Sequence, residues 1–127
     1  MKAVIIEKFG DLNGSIIKEV PIPKPNRNQV LIKVRAAGVN RPDILQRKGL
    51  YKVPLNASPI MGLEVAGEVV EMGDDVSTRE LGDRVTALVP GGGYAEYVVT
   101  NHEHCLPIPQ GYSFEEAAGL CECLFTV

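Results

Sequence analysis

The chain offers no strongly basic face to a nucleic acid. Its net charge is −3, and its lysines and arginines occur singly or in short pairs, whereas a nucleic-acid footprint needs a clustered stripe. It has no apolar run approaching the roughly 20 residues that cross a bilayer as a helix. At the N-terminus, "MKAVIIEKFG" brings in Glu7 before the apolar segment of a signal peptide could form. A soluble protein with no membrane or nucleic-acid partner is expected, located in the cytoplasm or in an organelle whose signal the sequence does not display. Cysteine is also scarce. Cys105, Cys121 and Cys123 make an odd count, which argues against a disulfide framework in a chain without a secretory signal. The paired-cysteine spacing of zinc sites is missing. His102, His104 and Cys105 in "HEHC" could join Cys121 and Cys123 around a metal, but on a strand the histidines share one face and Cys105 points to the other. Surface histidines and buried thiols are the favoured reading. Finally, no G-x-G-x-x-G occurs. The triplet Gly91 to Gly93 falls between strands, where it makes no phosphate cradle.

What is present suits one globular domain. A hydrophobic fraction of 45% and a charged fraction of 23% in 127 residues fit a single core. "MKAVIIEK" and "SIIKEVPIP" read as strands around the turn "FGDLNG". In "VLIKVRAAGV", Val30, Ile32 and Val34 alternate with Leu31, Lys33 and Arg35, as on a strand with one largely buried face. The stretch "AAGVNRPDILQRKGLY" follows. Asn40 suits an N-cap, Pro42 the first helical turn and Asp43 the positive end of the helix dipole. Ile44 and Leu45 are expected to face inward, and Gly49 to stop the helix. "EVAGEVVEMG" reads as a further strand, with Gly62 and Gly67 allowing close backbone approach or a bulge. "VTALVP", "GGG" and "YAEYVVT" read as a strand pair with the glycines at its tip. "SFEE" is a capping box with Ser113 at the N-cap and Glu116 at N3, opening a helix that runs to the end of the chain. Many short strands with few short helices predict a mainly β, partly open barrel.

The ordered segments "MKAVIIEKFG", "VLIKVRAAGVNRPDILQRKGLY", "PIMGLEVAGEVVEMGDDV", "GDRVTALVPGGGYAEYVV" and "LPIPQGYSFEEAAGL" cover nearly the whole chain. They resemble successive landmarks of the medium-chain dehydrogenase/reductase superfamily. "AAGVNRPDILQRKGLY" resembles its zinc-independent, zeta-crystallin-like quinone oxidoreductase branch. The resemblance implies that residues 1–112 form a GroES-like catalytic and substrate domain and that 113–127 begin the helix leading into a Rossmann domain. The chain is accordingly expected to continue past Val127 and to be inactive alone. The superfamily's zinc enzymes carry a cysteine where Asn40 stands and a histidine where Leu63 stands. Neither an amide nor a leucine supplies the thiolate or imidazole that zinc requires, and Glu64 alone makes no tetrahedral site. No metal is therefore expected.

The implied function is NADPH-dependent reduction of a quinone, by a protein that is a homodimer or homotetramer at full length. Quinones accept hydride readily, so hydrogen-bond donors near their oxygens can replace a Lewis acid. Asn40 and Tyr51 are the implied catalytic residues. Asn40, Arg41 and Tyr51 are the implied cofactor contacts, and Tyr51 and Leu63 the substrate contacts. Asn40 could equally be a plain N-cap, Tyr51 a loop residue packed on the barrel, and Arg41 a solvated cation. Two alternatives stand beside this reading. One is an enoyl-thioester or enone reductase of the same superfamily, with Tyr51 as proton donor. The other is a non-catalytic module, either a dimerising one or a co-chaperonin, for which the loop "LYKVPLNASPIM" is a poor match.

Overall fold

A computed structural model describes residues 1–127 of the chain. Strands β1 (Lys2–Ile6) and β2 (Ser15–Glu19) form an antiparallel hairpin. A five-stranded antiparallel sheet contains β3 (Gln29–Ala37), β4 (Glu64–Met72), β5 (Arg84–Leu88), β6 (Tyr97–Asn101) and β7 (Cys105–Pro107), in the order β6-β3-β4-β5-β7. Helix α1 (Arg41–Arg47) follows β3, while α2 (Phe114–Ala117) and α3 (Cys121–Thr126) close the chain. The hairpin meets the segment leading into β6 through an isolated bridge between Ala3 and Ala95. The fold is thus mainly β, and its two sheets do not close on each other. No helix is long and apolar enough to cross a membrane.

Val30, Ile32, Val65, Val69, Val85 and Val98 interlock in the main core. Each fully buried side chain of this size contributes about 2 kcal/mol. Ala36 and Ala66 pack instead with Ala117 and Ala118. Small side chains at these positions let α2 approach the sheet closely. Phe114, at the start of α2, lies under two guanidinium groups, with Arg84 at 4.4 Å and Arg35 at 5.6 Å from its ring centroid.

Four expectations are corrected. First, β5 and β6 are not a strand pair: β6 pairs with β3, and β5 with β4 and β7. Gly91 to Gly93 are therefore no hairpin tip but a buried crossing. Their backbone runs against residues 60–62, with Gly92 N–H bonding Ile60 O at 2.7 Å and Tyr94 N–H bonding Met61 O at 2.9 Å. Gly62 is held at φ +103°, and a Cβ there would lie 2.6 Å from the Tyr94 nitrogen. Second, the terminal helix is broken. The Ser113–Glu116 capping box is present, but Gly119 interrupts the run before α3 begins. Third, His102–His104 form a 3₁₀ turn rather than a strand, because Asn101 Oδ1 caps the Glu103 N–H at 2.9 Å. Fourth, α1 turns its polar side inward. Asp43 and Gln46 are buried and Leu45 is half-buried, as expected of an inward residue, while Ile44 is 43% exposed.

Candidate functional site

The site grows from the end of β3. There the chain passes Gly38, where a Cβ would overlap Glu64 Oε1, and turns at Asn40 into α1. Asn40 has the extended backbone of an N-cap, φ −128° and ψ 160°. Asp43 supplies the acidic half of a capping box, its Oδ2 accepting the Asn40 N–H at 2.9 Å. The same Oδ2 accepts the Tyr94 phenol at 2.6 Å. Gln46, one turn on, donates from Nε2 to Pro59 O at 3.1 Å. These bonds explain the inverted polarity of α1. Its inward face is fastened by hydrogen bonds rather than by apolar burial.

Glu64, the first residue of β4, is 2% exposed. Its Oε1 accepts Asn40 Nδ2 at 2.9 Å, and its Oε2 accepts the backbone N–H of Glu122, in the first turn of α3, at 2.9 Å. Asp43 is 3% exposed, and its Oδ1 has no hydrogen-bond partner. Neither carboxylate belongs to an ion pair; those present join the N-terminus to Glu19, Arg27 to Asp75 and Arg35 to Glu68. Buried charges are ordinarily paired, so two cation-free buried carboxylates that share Asn40 as a hydrogen-bond donor are the site's most unusual feature. Burial, and then the hydrogen bond to Asp43, push the Tyr94 phenol well above its ordinary pKa. Tyr94 is therefore a donor throughout the working pH range.

Beside this network lies a cleft of ≈ 580 Å³, within the usual size range of small-molecule sites. Leu63, Leu88, Val89 and Phe125 give it apolar walls, and Tyr51, Glu122 and His104 add polar groups. The Tyr51 phenol bonds no protein group and so is available as a donor. The structure brings Tyr51 and Leu63 to one cleft. Asn40 lies behind it, tied to the residue after Leu63, with Pro42 of its own helix on the lining. Arg41 is exposed, forms no ion pair and does not line the cleft. His102 faces away, its Nδ1 bonded to Thr78 Oγ1 at 2.7 Å, and no cluster of His, Cys, Asp and Glu has metal-ligating geometry. Two residues of the site escaped sequence reasoning: Tyr94 stood in "GGGYAEY" with no mark of its role, and Glu122 comes from a segment far from the rest of the site. His104, read as a surface histidine, is exposed and stands on the cleft lining.

The fold is that of a GroES-like domain. Residues 26–110 match the alcohol dehydrogenase GroES-like domain family, and the chain belongs to it, within the medium-chain dehydrogenase/reductase superfamily. It is 37% identical over 118 residues to the human synaptic vesicle membrane protein VAT-1 homolog-like, covering 93% of this chain and 28% of that protein. It is 38% identical over 132 residues to the pig quinone oxidoreductase, covering 99% of this chain and 39% of that one. The chain therefore spans well under half of either relative. Among solved structures, the quinone oxidoreductase of Escherichia coli complexed with NADPH superposes with a TM-score of 0.84 at 28% identity, over 93% of this chain and 36% of that one. The CurK enoyl reductase superposes with a TM-score of 0.88 at 28% identity, over 98% and 40%. The proteins it resembles thus include both quinone oxidoreductases and an enoyl reductase.

Proposed function

We propose that this chain is the substrate-holding part of an NADPH-dependent quinone reductase that works without a metal. The observation that carries the reading is the mutual engagement of Asn40 and Glu64 beside Leu63. An amide and a leucine stand at two positions where the zinc enzymes of the superfamily have ligands, and both carboxylate oxygens of Glu64 already hold N–H donors. The apolar walls suit a flat, neutral ring, and the free Tyr51 phenol suits a quinone oxygen. The residues present fit only the nicotinamide end of NADPH. The N–H groups of Gly92 and Gly93 are spent on Ile60 O and Gly62 O, so the glycine triplet has none to offer a phosphate. When bound, the nicotinamide supplies the hydride. Tyr51 then donates a hydrogen bond to the reduced oxygen, Leu63 and Phe125 exclude water, and Asn40 keeps α1 in place. Residues from 113 onward lead, on this reading, toward a cofactor-binding domain, and the full protein is a cytoplasmic homodimer or homotetramer.

An enoyl reductase is the second reading, favoured by the CurK superposition. The deciding assay follows NADPH oxidation by the full-length protein with menadione and, separately, with an enoyl-CoA, each with and without a chelator. Turnover of menadione unaffected by chelation is the expected result. Turnover confined to the enoyl thioester, or abolished by the chelator, rejects the proposal.

A further inference from the structure

We infer that Glu64 is a positioning residue that sets the separation of the two sides of the cleft. The inference rests on the cleft being the substrate site. One oxygen of the carboxylate holds Asn40, at the N-terminus of α1; the other holds Glu122, at the N-terminus of α3. Each helix sends residues to the cleft lining: Pro42 from α1, and Glu122 and Phe125 from α3. Glu64 is the only side chain hydrogen-bonded to both helix starts, and it sits at the head of β4, which pairs with β5 over Glu64–Glu68 and with β3 from Val65 to Met72. It is thus a rigid post with two arms. The fold makes room for it: Gly38 lacks the Cβ that would strike Oε1.

The burial of this group is hard to explain as a source of stability. A carboxylate 2% exposed with no cation partner carries a desolvation cost that two hydrogen bonds only partly offset. An apolar residue of similar size would fill the same space without that cost. What it could not do is accept two N–H donors from two helices at once. That requires a side chain with two equivalent acceptors and no donor. A glutamine has one acceptor oxygen, so it can hold Asn40 or Glu122 but not both.

Glu64→Gln therefore frees one arm and preserves volume. Gly38→Ala displaces the carboxylate and preserves its charge. The first readout is amide hydrogen exchange on the chain. Gly38→Ala is expected to speed exchange at Glu122 and through α3 by about tenfold or more, and Glu64→Gln to speed exchange in the first turn of α1 or of α3, whichever arm the single oxygen releases, with β3 and β4 unchanged in both. The second is the kinetics of the full-length protein with menadione and NADPH. KM for menadione is expected to rise at least about fivefold, with kcat within about twofold, in Glu64→Gln. A purely structural residue behaves differently: its loss accelerates exchange across the sheet and lowers kcat in proportion to the folded fraction, leaving KM alone. Wild-type exchange at Glu122 in Gly38→Ala, wild-type exchange at both helix starts in Glu64→Gln, or acceleration spread evenly over β3 and β4, overturns the inference. If Glu64→Gln does not fold, the exchange pattern of Gly38→Ala decides alone. If the full-length protein turns over no quinone, the quinone reading fails and the exchange result still tests the post.

Discussion

At the scale of single residues, Asp43 and Tyr94 are the pair whose value is easiest to isolate. Asp43 Oδ2 takes two donors, the Tyr94 phenol at 2.6 Å and the Asn40 N–H at 2.9 Å, while Oδ1 takes none. Removing the phenol leaves a carboxylate 3% exposed with a single hydrogen bond. A hydrogen bond to a charged group is worth about 2 kcal/mol. Tyr94→Phe keeps the ring and its packing, so the loss is almost entirely that bond. The expected result is a stability about 2 kcal/mol lower in urea unfolding, with the m-value unchanged. A loss below about 0.5 kcal/mol would mean that water replaces the phenol and that Asp43 is not sealed.

At the scale of elements, α1 shows where a sequence reading succeeds and where it cannot. Its start was legible: Asn40, Pro42 and Asp43 are the residue types that physical chemistry places at a helix N-terminus, and they stand there. Its inward face was not. Hydrophobic periodicity assumes that a helix is held by apolar burial, and it nominated Ile44 and Leu45. Here tertiary hydrogen bonds win, because Tyr94 and Pro59 O wait beneath the helix for Asp43 and Gln46. Those partners lie 51 and 13 residues away, beyond any local pattern. The glycine triplet failed similarly. Glycines between two apolar runs ordinarily mark a hairpin tip, but here β6 pairs with β3, and the triplet is a buried crossing that needs the absence of side chains. The candidate site divides along the same line. Tyr51 and Leu63 line the cleft, while Arg41, a cofactor contact implied by the family resemblance, is exposed and off its lining. The inverted face can be tested by paired substitution. Ile44→Ser, at 43% exposure, should change stability by no more than about 0.5 kcal/mol. Gln46→Ala removes a buried donor from Pro59 O and should cost about 1 to 2 kcal/mol. Thermal unfolding of the two variants side by side decides it, and the opposite order would mean that α1 is held by apolar contacts after all.

At the scale of the whole molecule, the acid–base behaviour follows from what the core encloses. Burial raises the Cys105 thiol from its ordinary 9.0 to about 11, and burial likewise raises Cys121, partly offset by its hydrogen bond to Thr86. In the unfolded chain these thiols ionise at their ordinary values. Between pH 9 and 11 the unfolded state therefore holds fewer protons than the folded one, and stability falls with rising pH. Below pH 9 both states keep the thiols neutral and the contribution is fully present. For Cys105 the interval from 9.0 to about 11 corresponds to about 3 kcal/mol. Tyr94 adds to the alkaline loss, since its phenol is raised as well. Denaturant unfolding across pH 7 to 11 should thus show a plateau and then a decline beginning near pH 9. Cys105→Ala should unfold somewhat more easily on the plateau, because a small cavity opens among Val85 and its neighbours. It should also decline less steeply, by about 1.4 kcal/mol per pH unit, because one of the buried acids is gone. A decline as steep as that of the parent chain would shift the cause to the phenol of Tyr94, and Tyr94→Phe measured over the same range would then remove it.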